Sequence, residues 1–464
     1  MELSATGWWI EEAGEQRLLP ALDDITKADL VVVGGGYTGL WTAWHALSHT
    51  EPDRIVVLEA DRCGHGPSGR NGSFCESYWR ALPRLRAEFG DAAALRLAHA
   101  SSETVTAIGQ WCEDENVDAW FDRSGSLLVS TAPRQSEKVA DAVRAGAELG
   151  ASEHVYGLDR LAVQGVCAIP SFREAAFVPD FATVQPARLG LGLRDRLLAR
   201  GVRIHENTPV RRLRGEPGGG LRVDTPRGAV RAAAGVLAIN AAVRGIPAFA
   251  ARAVATSSHV VATEPVPEIL ENLGWTNGIS ITDAGTLVHY FRTTRDGRIV
   301  LGWGGGPIAY GGRLHGRVEY SPETAEMVSE RLRRFFPQIS ASQITHGWGG
   351  PIDVSPTNLP QIDSHGPLHV AFGYTGNGVG PSHMVGRILA GLALDASDPW
   401  LDLPLVGARP ARRVPPEPLA WLGGSTIRRA LITRDSRDVA GLRPSLIADV
   451  VTRVPALLGV HLGR

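Results

Sequence analysis

One stretch, residues 30–59, limits the folds open to this chain more than any other. Leu30-Val31-Val32-Val33 is an uninterrupted apolar run, the pattern of a strand buried on both faces. The chain then turns on Gly34-Gly35-Gly36 and enters a helix whose apolar positions Leu40, Ala43, Trp44 and Leu47 recur three and four apart. A second apolar run, Ile55 to Leu58, ends on Glu59, which lies 20 residues beyond Gly39. The pattern is a βαβ unit carrying G-x-G-x-x-G at Gly34, Gly36 and Gly39. Gly34 makes the tight turn, Gly36 lets backbone approach a pyrophosphate, and Gly39 lets helix and strand pack closely. The helix, entered at Leu40, offers free N–H groups and a positive dipole end that suit phosphate. Glu59 is placed to accept hydrogen bonds from a ribose diol. Dinucleotide binding is expected.

A length of 464 residues favours two or three domains. The net charge of −2 gives no electrostatic basis for binding nucleic acid. No apolar run reaches 18 residues, so no membrane-spanning helix is expected. The N-terminal residues lack the basic region and apolar core of a signal peptide, and a cytoplasmic location is the default expectation. Cys63, Cys75, Cys112 and Cys167 form no metal-binding spacing and read as buried free thiols. Lys27 and Lys138 are the only lysines among 47 basic residues, and both fall in segments that read as peripheral, which argues against a catalytic lysine.

After the βαβ unit comes Arg62-Cys63-Gly64-His65-Gly66-Pro67-Ser68-Gly69-Arg70-Asn71-Gly72-Ser73, which reads as a loop too rich in glycine for a helix. Its freed N–H groups, with the donors of Arg70 and Asn71, suit an anionic or hydrogen-bonding ligand edge. Helices are expected within 78–118, at 134–150 and at 187–200. Residues 235–242, including Asn240, read as a buried strand ending in small residues, where a cofactor can come close. Residues 255–345 alternate more clearly, as an antiparallel sheet with one covered face would. A strand at 369–372 leads into Gly373-Tyr374-Thr375-Gly376-Asn377-Gly378-Val379-Gly380 and a helix expected from Pro381, a second helix N-terminus able to meet a ligand. Residues 400–464 read as an accessory tail with short helical pieces.

With these pieces in order, the chain resembles the FAD-dependent D-amino acid oxidase superfamily, and within it the gamma-glutamylputrescine oxidase-like branch. The carriers are the Gly34–Gly39 fingerprint with Glu59, the loop from Gly66 to Gly72, Ala182-Thr183-Val184-Gln185-Pro186, Thr263-Glu264-Pro265, Tyr290-Phe291-Arg292 with Asp296-Gly297-Arg298, and the glycine loop at 376–380. The resemblance implies an α/β plus α+β fold: a discontinuous Rossmann-like FAD-binding domain and an antiparallel-sheet substrate domain that roofs the flavin. The division it suggests is an arm at 1–28, an FAD-binding domain from 29–90, 150–245 and 345–397, a substrate domain from 91–149 and 246–344, and an accessory segment at 398–464. It implies non-covalent FAD held by Gly34, Gly36, Tyr37, Thr38, Gly39, Glu59, Ser68, Gly69, Arg70, Asn71, Gly72, Val210, Asn240, Gly376, Asn377, Gly378 and Val379, with no metal. Two departures stand out. The family loop usually closes on two glycines, and here the second is Ser73; a tyrosine often found before Thr263 is replaced by His259.

The chemistry implied is oxidation of the C–N bond of a small amine or amino acid by hydride transfer to flavin N5. The imine then hydrolyses and O2 is reduced to H2O2. A dehydrogenase passing electrons to another acceptor is the alternative, and a non-catalytic flavin-binding subunit is an alternative of another class. Tyr290 and Arg292 lie two apart on one strand and share a face, where Arg292 is expected to bind a substrate carboxylate. His259 is a candidate electrostatic group near the flavin, with His289 and His383 as others, and Trp348 a candidate pocket wall. Small-molecule substrate and electron acceptor are the expected partners.

Overall fold

A computed structural model describes residues 3–408, 413–443 and 445–457. Two eight-stranded sheets organise it. In the first sheet, Ile25–Val33 lies at the centre, parallel to Ala229–Leu237 on one side and to Ile55–Leu58 on the other. Arg203–His205 extends the parallel order beyond Ile55–Leu58, and Leu368–Phe372 extends it beyond Ala229–Leu237. Leu30 to Val33 and Ile55 to Leu58 are all buried, as strands covered on both faces must be. The helices Tyr37–Ala46, Pro186–Ala199 and Val379–Ala393 contribute Leu40, Leu193 and Leu389 to the cluster on one face. Val31, Val33, Val56 and Leu237 pack with Phe249 and Phe372 on the other.

The second sheet runs, edge to edge, through Ile344–Val354, Val254–Thr263, Ile299–Trp303, His289–Thr293, Ser280–Asp283, Ser126–Val129, Ala175–Val178 and Tyr156–Leu158. Its pairs are antiparallel except for the parallel join of Ser126–Val129 to Ser280–Asp283. Both of its faces are covered, not the single one expected. Val261, Phe291, Leu301 and Trp303 pack under the helix Pro322–Phe335, while Val260, Tyr290 and Val300 pack with Trp8, Trp9 and Phe74. The alternation that marks these strands therefore separates two cores rather than core from water.

Four local expectations need correction. The loop 62–73 contains one helical turn, Pro67–Arg70, started by a proline whose missing N–H costs nothing at a first helical position. The C-terminal helix of the first sheet begins at Val379, with Pro381 inside its first turn. The strands Tyr156–Leu158, Ala175–Val178 and Ile344–Val354 belong to the second sheet, although the suggested division sets them with the first. The tail is not made of short pieces: Leu419–Val439 is a 21-residue helix, followed by Leu446–Leu457. No helix among the described residues is long and apolar enough to cross a membrane.

Candidate functional site

A cavity of about 970 Å³ runs from the carboxyl ends of the first sheet to the face of the second sheet that carries Tyr290. This is where an open parallel sheet places its ligand. The fingerprint glycines shape one end. Gly34 has φ +112°, the left-handed region, and a Cβ there would lie 2.3 Å from the Ala238 carbonyl oxygen. At Gly39 a Cβ would stand 1.9 Å from the carbonyl oxygen of Gly34, so the helix can sit this close to the turn only without a side chain. Gly36 differs: the nearest atom to its missing Cβ is Ser68 Oγ at 2.9 Å, and the position otherwise opens to the cavity.

Glu59 is held in place by N–H donors. Gly35 N donates to Oε2 at 2.7 Å and Asp61 N to Oε1 at 2.9 Å. Burial raises its pKa, and the two N–H groups oppose that shift. The loop 66–72 crosses the middle of the cavity. Asn71 ties it together, its Nδ2 donating to Ser68 O at 2.7 Å and its Oδ1 accepting from Ser73 N at 2.6 Å. Ser73 has φ +69°; this is the position where the family usually has a second glycine, and the Asn71 bridge holds a non-glycine residue in the left-handed region. Tyr37 N donates to Ser68 Oγ at 2.9 Å, linking fingerprint helix and loop.

Of the expected cofactor residues, Gly34, Gly36, Tyr37, Thr38, Glu59, Ser68, Arg70, Asn71, Gly72, Val210, Asn240, Gly376, Gly378 and Val379 line this one cavity. Gly39, Gly69 and Asn377 do not. Gly39 and Gly69 are packing glycines, a Cβ at Gly69 falling 2.1 Å from Gly64 O. Asn377 lies between two lining residues, and its Oδ1 is buried without a partner.

The substrate-side expectations fare differently. Tyr290 lines the cavity, and its hydroxyl is 2.7 Å from Ser258 Oγ. A Cβ at Gly72 or Gly302 would strike the Tyr290 ring, at 2.3 and 1.9 Å, so both glycines make room for it. Arg292 shares the Tyr290 side of the strand but does not reach the cavity. Its guanidinium donates to Val184 O at 2.7 Å and Thr293 O at 2.8 Å and stacks 5.4 Å from Trp9. Desolvation lowers its pKa to about 10. A side chain already bonded to two carbonyls and enclosed by apolar groups is a clamp on the 182–186 segment, not a carboxylate site.

His259 is corrected for a simpler reason. Ser258 and Val260 line the cavity, so their neighbour points to the opposite face. There its Nε2 accepts the Ser321 N–H at 2.9 Å, at the start of the helix Pro322–Phe335. Burial lowers its pKa to about 4, which keeps the ring neutral and able to accept that bond. His289 is bound to Asp283 at 2.6 Å on the same far face, and His383 packs against Trp41 in the first core. Trp348 lies behind the wall it was expected to form. Its Nε1 donates to Arg70 O at 2.9 Å and steadies the loop, while Gly350, Pro351, Ile352 and Asp353 line the cavity beyond it. Cys63 is fully buried and absent from the lining, and burial pushes its thiol pKa up, so it offers no attachment point for a cofactor. Lys138 is less peripheral than expected: desolvation lowers its pKa to about 8, and Asp283 and Asp435 are its acidic neighbours.

Residues missed in the sequence are Phe74, Glu76, Ser258, Val260, Asp353 and Ser382, all of which line the cavity. Alternation was the available signal for two pairs: if Phe74 faces the site, so does Glu76, and Ser258 goes with Val260. Asp353 is 1% exposed, and its carboxylate accepts from Gly373 N at 2.5 Å and Tyr374 N at 3.2 Å. Burial raises its pKa to about 7 against the pull of these donors.

A parallel sheet with a G-x-G-x-x-G turn, an acid at the next strand end and a second sheet over the cavity defines a dinucleotide-dependent enzyme. The family model described as FAD dependent oxidoreductase (DAO) matches residues 29–392, and the chain belongs to that family. It is similar to gamma-glutamylputrescine oxidoreductase of Escherichia coli (strain K12), 28% identical over 393 residues, which cover 83% of this chain and 88% of the relative. It is also 26% identical over 353 residues to sarcosine oxidase subunit beta of Rhizobium meliloti (strain 1021), covering 72% of this chain and 76% of the relative. Among solved structures, glycine oxidase from Geobacillus kaustophilus matches with a TM-score of 0.67 at 18% identity, over 83% of this chain and 99% of that one. L-proline dehydrogenase from P. horikoshii matches with a TM-score of 0.65 at 20% identity, over 83% and 96%. At such identities these two establish the fold. The protein is an FAD-dependent oxidoreductase. The residues present fit that cofactor: glycines whose Cβ positions are blocked or open to the cavity, an oriented acid for a ribose, and a second glycine loop at a helix N-terminus.

Proposed function

We propose that the cavity oxidises the C–N bond of a small amine or amino acid. The observation that carries this is the make-up of the cavity end at Tyr290. Phe74, Val260 and Val379 present apolar side chains there, the Tyr290–Ser258 hydroxyl pair marks one side, and no histidine or lysine among the described residues lines that end. Oxidation of a neutral amine needs positioning and dryness more than a dedicated base. Bound FAD supplies the two-electron acceptor. The chain's own residues hold the cofactor at Gly36, Glu59 and the 66–72 loop, and set the substrate against the Tyr290 face.

The acceptor of the electrons divides two readings. One is an oxidase releasing H2O2 from O2. The other is a dehydrogenase serving a different acceptor, favoured by the lack of a lysine or histidine cation on the roof strands that face the cavity. Reduced enzyme is mixed with O2 and, separately, with a quinone. Fast reoxidation by O2 with one peroxide per flavin supports the oxidase. Reoxidation by the quinone alone supports the dehydrogenase. A protein that no amine reduces removes both. We propose also that the FAD-binding unit is built on the first sheet and the substrate unit on the second, with 150–178 and 345–354 going to the second by their strand pairing.

A further inference from the structure

The end of the cavity at Tyr290 carries one carboxylate, Glu76. Phe74 and Glu76 are two apart on the strand Phe74–Glu76, so their side chains leave the same face. The partner strand sets Phe181 opposite Glu76. The Phe74 ring is 5.5 Å from Tyr290 and 5.6 Å from Phe181, which aims this face at the second sheet. Glu76 is 5% exposed and lines the cavity together with Phe74, Tyr290 and Ser382. Its Oε1 pairs with Arg80, four residues on, and that guanidinium lies 5.3 Å over the Phe181 ring. The pair fixes where the carboxylate stands.

A buried ion pair is a costly way to fill space, since apolar side chains of similar size do it at least as well. The other lining acids already have partners in N–H groups: Glu59 has Gly35 and Asp61, and Asp353 has Gly373 and Tyr374. No hydrogen bond to Glu76 Oε2 is formed among the described residues. Arg292, the cation expected on this side, is turned into the protein and bonded to carbonyls. An acid fixed by an arginine, with one oxygen left for a ligand among Phe74, Tyr290, Ser258 and Ser382, matches an ammonium group.

We propose that Glu76 is the residue that reads substrate charge, binding a second ammonium so that the preferred substrate is a diamine with no carboxylate at that end. The proposal rests on the amine reading of the cavity. It is tested by anaerobic titration of the flavin-containing enzyme with an α,ω-diamine, the n-alkylamine of equal length and the corresponding ω-amino acid. The expected result is at least tenfold tighter binding of the diamine than of the alkylamine, with the ω-amino acid weakest. In Glu76→Gln the ratio of kcat/KM for diamine over alkylamine falls towards one, and Glu76→Asp restores part of it. Equal binding of diamine and alkylamine by the unaltered enzyme overturns the proposal, as does tightest binding of the ω-amino acid, which would make Arg80 the reader. The comparison of ligands needs no variant, so misfolding of Glu76→Gln leaves it decisive. If none of the three perturbs or reduces the flavin, the amine reading fails and this proposal with it. Oxidation of the alkylamine without a diamine preference removes Glu76 alone.

Discussion

Glycines 36 and 39 belong to one motif, yet their surroundings separate their duties. The missing Cβ of Gly39 would meet a backbone oxygen at 1.9 Å, and that of Gly36 a serine hydroxyl at 2.9 Å beside open cavity. Gly39→Ala is therefore expected to disrupt folding, because backbone cannot step aside. Gly36→Val is expected to fold and to lose FAD, because its bulk enters the space of the pyrophosphate. Circular dichroism and flavin occupancy on the two variants check this; flavin-loaded Gly36→Val would contradict it. Arg292 makes a different kind of prediction. Arg292→Ala leaves two carbonyls without donors and a void beside Trp9, and its expected cost is roughly 3 kcal/mol of stability. The Michaelis constant for carboxylate-bearing substrates is expected to stay unchanged, which steady-state kinetics beside a urea melt will show. Both roles of the fingerprint were legible in the sequence, because the motif's spacing carries its geometry. The role of Arg292 was not. Period-two alternation placed it correctly beside Tyr290, but alternation cannot say how far along the strand the cavity ends.

At the scale of elements, the strands were read well where they were apolar runs and less well where they alternated. Residues 254–263 alternate between two buried faces, so the pattern that suggested one wet side came from two different cores. His259 was placed near the flavin by the resemblance, and alternation in the observed strand puts it on the opposite face from Ser258 and Val260, which line the cavity. The helix Leu419–Val439 was the least legible element, since tail composition says nothing of what it packs on. Arg428 Nε donates to Gly305 O at 2.7 Å, and Asp435 Oδ2 accepts from Leu287 N at 3.1 Å. The helix thus pins two connections of the second sheet. Truncation before residue 414 is expected to raise amide exchange at 285–288 and 304–311 more than elsewhere. Unchanged exchange there would show that those connections hold themselves.

Across the whole molecule, one buried cavity acid couples stability to pH. Asp353 sits 1% exposed at the junction of the two sheets, with a pKa raised to about 7 from 3.8. Between those values the folded protein holds a proton that the unfolded chain has released. Stability therefore falls as pH rises from about 4 to about 7, by a few kcal/mol, and is flat on either side as far as this group is concerned. Asp353→Asn removes that slope. Denaturant melts at pH 4 and pH 7 are expected to show the variant gaining on the parent as pH rises, and parallel curves would contradict it. Fold class, family and cofactor were legible because a nucleotide site is built from local turns with fixed spacing. The proposed substrate end was not, because Phe74, Glu76, Ser258, Tyr290 and Ser382 come from separate parts of the chain and line one cavity only in the folded protein.

In the proposed reaction, FAD held at Gly36, Glu59 and the 66–72 loop takes electrons from an amine lying against Tyr290. Anaerobic mixing of the purified yellow protein with a panel of amines, followed by flavin absorbance, tests it most directly. Complete bleaching by at least one amine in a single turnover is expected, slowed at least tenfold in Tyr290→Ala. A protein that binds no FAD, or one whose flavin stays oxidised with every amine offered, would contradict it.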